Sequence, residues 1–149
     1  MTAVERVVPA GAAEVFAVLA DGWSYGAWVV GNSHVRDVDP RWPEVGTRLH
    51  HRSGAWPVQV NDITVVRAVE KDRFLRLAAR LWPLGQAEIA LELHPAAGGT
   101  RVVLTEVVTD GPLKIVPDPV QAVLFKPRNT EALARLSDLV QGRGAARSH

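Results

Sequence analysis

Two hydrophobic patterns divide the chain: helical spacing near each end and strict alternation between them. β-Branched residues favour a short strand over residues 2–8, and Pro9 stops it. Apolar residues then recur three and four positions apart from Ala12 to Leu19, which predicts a short helix that ends at Asp21-Gly22. The aromatic stretch DGWSYGAWVVG, residues 21–31, follows at once and is predicted to form a second short helix and its exit.

Alternation dominates residues 33–109 and predicts a sheet. The candidate strands are 47–52, 58–69, 75–81, 87–93 and 100–109. Trp82-Pro83-Leu84-Gly85 and the Pro- and Gly-containing segment 94–99 have the composition of tight turns. Because strands joined by turns this short are antiparallel neighbours, the centre of the chain is predicted to be an antiparallel sheet.

A long helix is predicted at the C-terminal end. Asp118-Pro119 supplies an N-cap carboxylate followed by proline at the first helical position, and the helical pattern stops near Gly142. Its apolar residues form two sets that are out of phase on one straight helix, so a kink or break is expected at Pro127. Residues 1–141 are predicted to be one α+β domain, and residues 142–149 a flexible tail.

Composition excludes several classes of function. The chain has 149 residues, enough for one domain with a sizeable core, and its net charge of +1 creates no broad field for nucleic acid. The absence of cysteine excludes thiolate nucleophiles, disulfides and Cys-ligated zinc, and it fits a reducing cytoplasm. No signal-peptide pattern or apolar stretch long enough for a membrane span is found, so a cytoplasmic protein is expected. The motifs of serine hydrolases, NTPases and dinucleotide-binding enzymes are missing as well.

Alternation on the last strand places Glu106 on the inward face with Val102, Leu104 and Val108. A buried carboxylate must be paired, hydrogen-bonded or protonated. Two interpretations stay open: Glu106 is a polar anchor or acid/base group for a ligand, or it has a structural partner such as an arginine. A register change of one residue would instead turn it to solvent.

His51 is the second candidate for acid/base chemistry. His50 and His51 point to opposite faces of their strand, so they cannot chelate one metal together. If Leu49 points inward, so does His51, and a neutral imidazole there would suit an acid/base pair with Glu106; otherwise it is a half-exposed strand histidine. Since no His-x-His or HExxH motif occurs, no metal site and no cofactor are predicted.

Arg128 and Asn129 follow Pro127, whose missing N–H frees a helical carbonyl. The two side chains either satisfy that backbone, with Asn129 capping a restarted helix, or face the interior and bind a polar ligand group.

The order of elements and five short segments resemble the polyketide cyclase/dehydrase-like branch of the START/Bet v 1 superfamily. The segments are VPAGAAEVFAVLAD, YGAWVVGNSHVRDVD, WPEVGTRLHH, GGTRVVLTEVV and RNTEALARLSDLV, and the resemblance covers about residues 3–141. It implies a helix-grip fold, in which a curved antiparallel sheet wraps around the long C-terminal helix and leaves a hydrophobic cavity between them. Two short helices after the first strand would close one end.

The resemblance implies two functional hypotheses. The first is binding of a hydrophobic, lipid- or polyketide-like small molecule between the sheet and the C-terminal helix. The alternative is a polyketide cyclase, aromatase or dehydratase in which Glu106 and His51 transfer protons while Tyr25 or Arg128 steadies an enolate. The residues expected to line the ligand site are Tyr25, Trp28, Leu77, Ala79, Ile89, Leu91, Leu104, Leu124 and Arg128.

A third hypothesis is a protein-interaction module that uses exposed aromatic residues. It predicts an apolar surface patch around Trp23, Trp56 or Trp82, and it leaves a homodimer open. Nucleic acid is not an expected partner, because the aromatic stretch 21–31 contains no lysine or arginine.

Overall fold

The computed structural model describes residues 1–30, 32–55, 58–80 and 85–147, which form an α+β fold. The strands are β1 (Thr2–Val8), β2 (Asn32–Val38), β3 (Arg48–Ala55), β4 (Val58–Glu70), β5 (Phe74–Arg80), β6 (Gln86–Ala96) and β7 (Gly99–Asp110). The helices are α1 (Ala12–Leu19), α2 (Tyr25–Trp28) and α3 (Asp118–Arg147), with 3-10 turns at Gly22–Ser24 and Pro112–Ile115.

The strands form one antiparallel sheet in the order β1-β7-β6-β5-β4-β3-β2. Strands β2 to β7 are consecutive neighbours, whereas β1 pairs with β7 at the opposite edge. Because β1 and β2 occupy the two edges, α1 and α2 carry the chain from one edge of the sheet to the other.

One face of the sheet packs against α3, and we call it the inner face. Ala132, Leu133, Leu136 and Val140 of α3 lie in one apolar core with inward side chains of β3 to β7. The buried inner-face residues of that core are Leu49, Val66, Leu75, Leu77, Leu91, Leu93, Val102 and Leu104. The predicted helix-grip arrangement, a curved antiparallel sheet around a long C-terminal helix, is thereby confirmed.

Of the kink or break predicted at Pro127, the break does not occur, because α3 continues through this residue. Proline leaves the carbonyl of Val123 without its intrahelical donor. The Val123 side chain is 74% exposed, so this turn of the helix faces water, which can take the place of that donor.

The helix end predicted near Gly142 is also wrong, because α3 continues to Arg147. Arg143 lies in this last part of the helix, and its Nη2 is 2.6 Å from Oδ2 of Asp21 at the end of α1. That ion pair holds residues that the sequence assigned to a flexible tail; of the tail, only residues 148–149 lie outside the described ranges.

Some expectations fall on residues that the structure does not describe. The end of the candidate strand 75–81, the turn at Trp82-Pro83-Leu84 and the predicted surface position of Trp56 and Trp82 are among these. No helix in the described part of the chain is both long and apolar enough to cross a membrane.

Candidate functional site

Glu106 is the most deeply buried charged group on β7, with 1% of its surface exposed. Nη2 of Arg128 donates to both carboxylate oxygens, at 2.6 Å from Oε1 and 2.7 Å from Oε2. Nδ2 of Asn129 donates to Oε1 at 2.7 Å. We call these three residues the Glu106 cluster; it links the centre of β7 to α3 through charge-assisted hydrogen bonds.

Arg128 closes the Glu106 cluster on its solvent side. Its side chain is 28% exposed, and the guanidinium carbon lies 4.8 Å from the centre of the Phe125 ring. Both oxygens of Glu106 already accept hydrogen bonds. Of its two interpretations, the geometry therefore agrees with the one in which Glu106 has a structural partner such as an arginine. The interior of the cluster carries no net charge, since one carboxylate balances one guanidinium.

A second polar cluster lies on the inner face of β3 and β4. His51 is directly opposite Asp62 in the pairing of these strands, and Nε2 of His51 lies 2.9 Å from Oγ1 of Thr64. All three side chains are buried, with 5%, 2% and 7% of their surfaces exposed. We call His51, Asp62 and Thr64 the Asp62 cluster.

The imidazole of His51 is held in its neutral form. Burial lowers its pKa, an effect that the carboxylate of Asp62 partly opposes and that Arg36 and His50 reinforce. A neutral histidine with a lowered pKa keeps one nitrogen as an acceptor near pH 7, as a general base requires.

Lowering the pH is expected to destabilise the protein through His51. The folded-state pKa lies below the unfolded value of about 6.5, so the unfolded chain takes up a proton first as the pH falls below that value. Urea unfolding at pH 7 and at pH 5 should show a smaller loss of stability for His51→Gln than for the wild type. His34→Gln, at an exposed position of β2, is the control and should retain the wild-type loss. Equal losses for both variants would contradict this role of His51.

The structure keeps His51 and Glu106 apart. Strands β4, β5 and β6 lie between their strands in the sheet. The hydrogen-bond partners of Glu106 within the described chain are Arg128 and Asn129. The expected His51–Glu106 pair is thus replaced by two separate polar clusters on one inner face.

Three buried polar atoms in the described residues have no hydrogen-bond partner: Oγ1 of Thr2, Nε1 of Trp28 and Oδ2 of Asp62. Thr2 is opposite Glu106 in the pairing of β1 and β7. Trp28 belongs to the apolar core under α3. Native interiors leave few such atoms unpaired, so each of the three requires an explanation.

The aromatic stretch forms part of the core rather than an entrance. Tyr25 and Trp28 are each 3% exposed, and their rings lie 4.8 Å apart. The hydroxyl of Tyr25 donates to the carbonyl of Leu19 at 2.8 Å, and Nε1 of Trp42 donates to the same oxygen at 3.2 Å. Burial raises the pKa of Tyr25, so the phenol stays protonated and caps the end of α1. Trp23 is instead the exposed ring of this stretch, and the lining of a ligand site by Tyr25 and Trp28 stays a prediction.

The other expected ligand-site residues divide into an inward and an outward group. Leu77, Leu91 and Leu104 are buried on the inner face, and Ala79 and Ile89 are half-buried there. Leu124 is a correction, because its side chain is 53% exposed. Because α3 is continuous through Pro127, the apolar residues of its first part are exposed: Val120, Val123 and Leu124. Gln121 and Phe125 take the buried positions there.

Sequence reasoning missed Asp62 and Thr64. Alternation gave no signal for them, since Asp62 and Thr64 alternate with the apolar Ile63 and Val65, a pattern that predicts the polar side chains on the solvent-facing side. No three His, Asp or Glu side chains of the described ranges are grouped closely enough to hold a metal ion.

Comparison with known proteins agrees with this architecture. The family model for polyketide cyclase/dehydrase and lipid transport proteins matches residues 1–141. No curated protein sequence matches the chain.

Solved structures share the fold at low sequence identity. Protein MLL2253 from Mesorhizobium loti is 18% identical with a TM-score of 0.70, covering 94% of this chain and 96% of its own. Ara h 8.0201 is 14% identical with a TM-score of 0.67, covering 94% and 96%. The di-domain ARO/CYC StfQ from the steffimycin biosynthetic pathway is 9% identical with a TM-score of 0.73, covering 96% of this chain and 51% of StfQ. The chain therefore spans about half of StfQ.

These structural neighbours establish the fold, and the family model adds the relationship in sequence. The match over residues 1–141, nearly the whole chain, shows that the chain belongs to the polyketide cyclase/dehydrase and lipid transport family.

Proposed function

We propose that the protein binds a hydrophobic small molecule that carries polar groups, between the inner face of the sheet and α3. The observation that carries this proposal is that two of the three buried polar atoms without partners in the described residues, Trp28 Nε1 and Asp62 Oδ2, belong to side chains at the largely apolar interior between the sheet and α3. Leaving such an atom unpaired costs about 1–3 kcal/mol. A ligand that hydrogen-bonds to these atoms offsets that cost when it binds.

The apolar part of the proposed ligand contacts the half-buried side chains of the inner face. Ala79 is opposite Thr64 on β4 and Ala87 on β6, so small side chains adjoin the Asp62 cluster. Small and apolar walls with a few polar groups are typical of sites for small molecules. Membership of a family that includes lipid-transport proteins, and a fold shared with the ARO/CYC protein StfQ, support a ligand of this class.

The proposal is tested with 2-methoxynaphthalene as an apolar probe, by calorimetric titration of the wild type and two matched variants. Saturable binding to the wild type is expected. Ala79→Phe, which fills the inner face, should weaken binding about tenfold or more, equivalent to about 1.4 kcal/mol. Ala78→Phe is the control, because Ala78 is on the same strand but points to the other face. Absence of saturable binding, or equal losses in both variants, would overturn the proposal.

Acid/base catalysis is a second candidate, favoured by the buried neutral imidazole of His51 beside Asp62. In the dehydration of a β-hydroxyketone, His51 would take the proton from the carbon next to the carbonyl. The hydroxyl then leaves with that proton as water, and an enone forms. Enone absorbance with a naphthyl β-hydroxyketone measures this reaction: His51→Gln should abolish turnover, while His34→Gln should not. Full turnover by His51→Gln would exclude this mechanism.

A further inference from the structure

The carboxylate of Asp62 has an acceptor oxygen, Oδ2, without a hydrogen-bond partner in the described part of the chain. Resting on the proposed function, we infer that Asp62 binds a hydroxyl group of the ligand, so that the ligand is a neutral alcohol, phenol or enol rather than an anionic carboxylate.

Asp62 is positioned for such a contact by the alternation of β4. With 2% of its surface exposed, it points to the same face as Thr64 and Val66, and Val66 is part of the core under α3. His51 is its direct partner on β3. The carboxylate therefore lies at the inner face and not at the solvent-facing side of the sheet.

The two buried carboxylates, Asp62 and Glu106, differ in the number of hydrogen bonds that their oxygens accept. Oδ1 of Asp62 accepts from the backbone N–H of Ile63 at 3.3 Å and lies 3.8 Å from Nε of Arg80, whose side chain is 59% exposed. Oδ2 has no partner among the described residues. Glu106, in contrast, accepts three hydrogen bonds from Arg128 and Asn129. Of the two, Asp62 is the carboxylate with capacity left for a ligand.

The chemistry of that oxygen selects the ligand group. An ionised carboxylate only accepts hydrogen bonds, so the ligand must donate. A second carboxylate in the ligand would be repelled, and the repulsion is strong in an interior of low dielectric constant. Trp28 lies in the same apolar core as Val66, and its donor Nε1, which has no partner among the described residues, needs an acceptor oxygen. The oxygen groups of a neutral ligand can donate to Asp62 and accept from Trp28, whereas an ammonium group only donates.

Three naphthalene probes of nearly equal size test the inference by calorimetric titration. They are 2-naphthol, which has the donor, 2-methoxynaphthalene, which lacks it, and 2-naphthoate, which is anionic. For the wild type we expect 2-naphthol to bind about tenfold or more tightly than 2-methoxynaphthalene, as for a hydrogen bond to a charged group, and 2-naphthoate to bind more weakly than either.

Two variants assign the preference to Asp62. Asp62→Asn should reduce the preference for 2-naphthol severalfold and increase the affinity for 2-naphthoate, since the negative charge is lost. Asp37→Asn is the matched control: Asp37 also accepts a hydrogen bond from the next backbone N–H, at 2.9 Å, but it lies exposed on β2. Its probe preferences should equal those of the wild type.

Failure of this inference is distinguishable from failure of the proposed function. If wild-type protein binds 2-naphthol and 2-methoxynaphthalene equally well, the hydroxyl contact is wrong and the proposed apolar site stands. If no probe binds, both are overturned. If Asp62→Asn does not fold, the ratio of the wild-type affinities for 2-naphthol and 2-methoxynaphthalene still tests the hydroxyl contact, because measuring it requires no variant.

Discussion

Arg128→Met is expected to lower the free energy of unfolding by about 3 kcal/mol, because it leaves Glu106 buried without its charged partner. The side chain of Glu106 is fully buried, and Arg128 provides two of its three hydrogen bonds. Methionine keeps much of the apolar stem of arginine and its packing on Phe125, so the loss reports mainly on the charge. Arg128 is itself 28% exposed, and water entering beside Asn129 keeps the effect at the lower end for buried ion pairs.

A double-mutant cycle separates the ion pair from packing. Glu106→Gln combined with Arg128→Met removes both charges and should recover much of the stability lost in Arg128→Met alone. Arg135→Met is the matched control on the same helix, because Arg135 pairs with Glu131 at the surface, and it should cost about 0.3–0.5 kcal/mol. Urea unfolding followed by circular dichroism measures the wild type, the two single variants of the cycle, the double variant and Arg135→Met. A loss below about 1 kcal/mol for Arg128→Met would show that Glu106 does not depend on Arg128.

Most of the strands were predictable because their alternation of apolar and polar residues is visible in the local sequence. Alternation over residues 75–81 and 87–93 defined β5 and β6 to within a few residues, and the same rule put Glu106 inward. Strand β2, Asn32–Val38, was not delimited, since its residues are largely polar and its pairing with β3 contains two register shifts. The local pattern of apolar and polar residues does not predict such register shifts.

The partners of the buried polar groups were not predictable in the same way. Arg128 and Asn129 lie 22 and 23 residues from Glu106, and only the packing of α3 across β7 brings them to it. Leu124 was assigned to the wrong side because the phase of α3 depends on whether Pro127 breaks the helix. Whether a helix tolerates an internal proline depends on its surroundings in the tertiary structure, where the exposed Val123 leaves water access to the carbonyl that lost its donor.

The aromatic stretch shows how a local cluster acquires its role from distant residues. Tyr25 and Trp28 were correctly placed on a second short helix, but their burial depends on Trp42, which stacks edge-on to Tyr25 at 5.5 Å. Trp42 shares the carbonyl of Leu19 with Tyr25 and comes from the loop between β2 and β3. The rings are therefore part of the closed end of the fold, and the polar chemistry lies in the Glu106 and Asp62 clusters.

Gly99→Ala is expected to destabilise the protein by about 4 kcal/mol, combining backbone strain with a steric clash that cannot relax. Gly99 has a φ of +151°, and a Cβ atom there would lie 2.0 Å from the carbonyl oxygen of Val8 and 2.9 Å from Cα of Pro9. Both contacts are with backbone at the point where β1 leaves the sheet. The next residue, Thr100, donates from Oγ1 to the carbonyl of Ala10 at 2.7 Å, so this junction is already tightly held.

Gly98→Ala is the matched control for that effect. Gly98 is in the same turn between β6 and β7 and also has a positive φ, +86°, but a Cβ atom would meet nothing within 4 Å. In the sequence the two glycines form one turn signal. In the structure, of these two only Gly99 lacks space for a Cβ atom. Gly98→Ala should therefore cost only about 1–2 kcal/mol, the strain of the backbone conformation itself. Equal losses of stability in urea unfolding would mean that β1 does not approach the turn as closely as this junction requires.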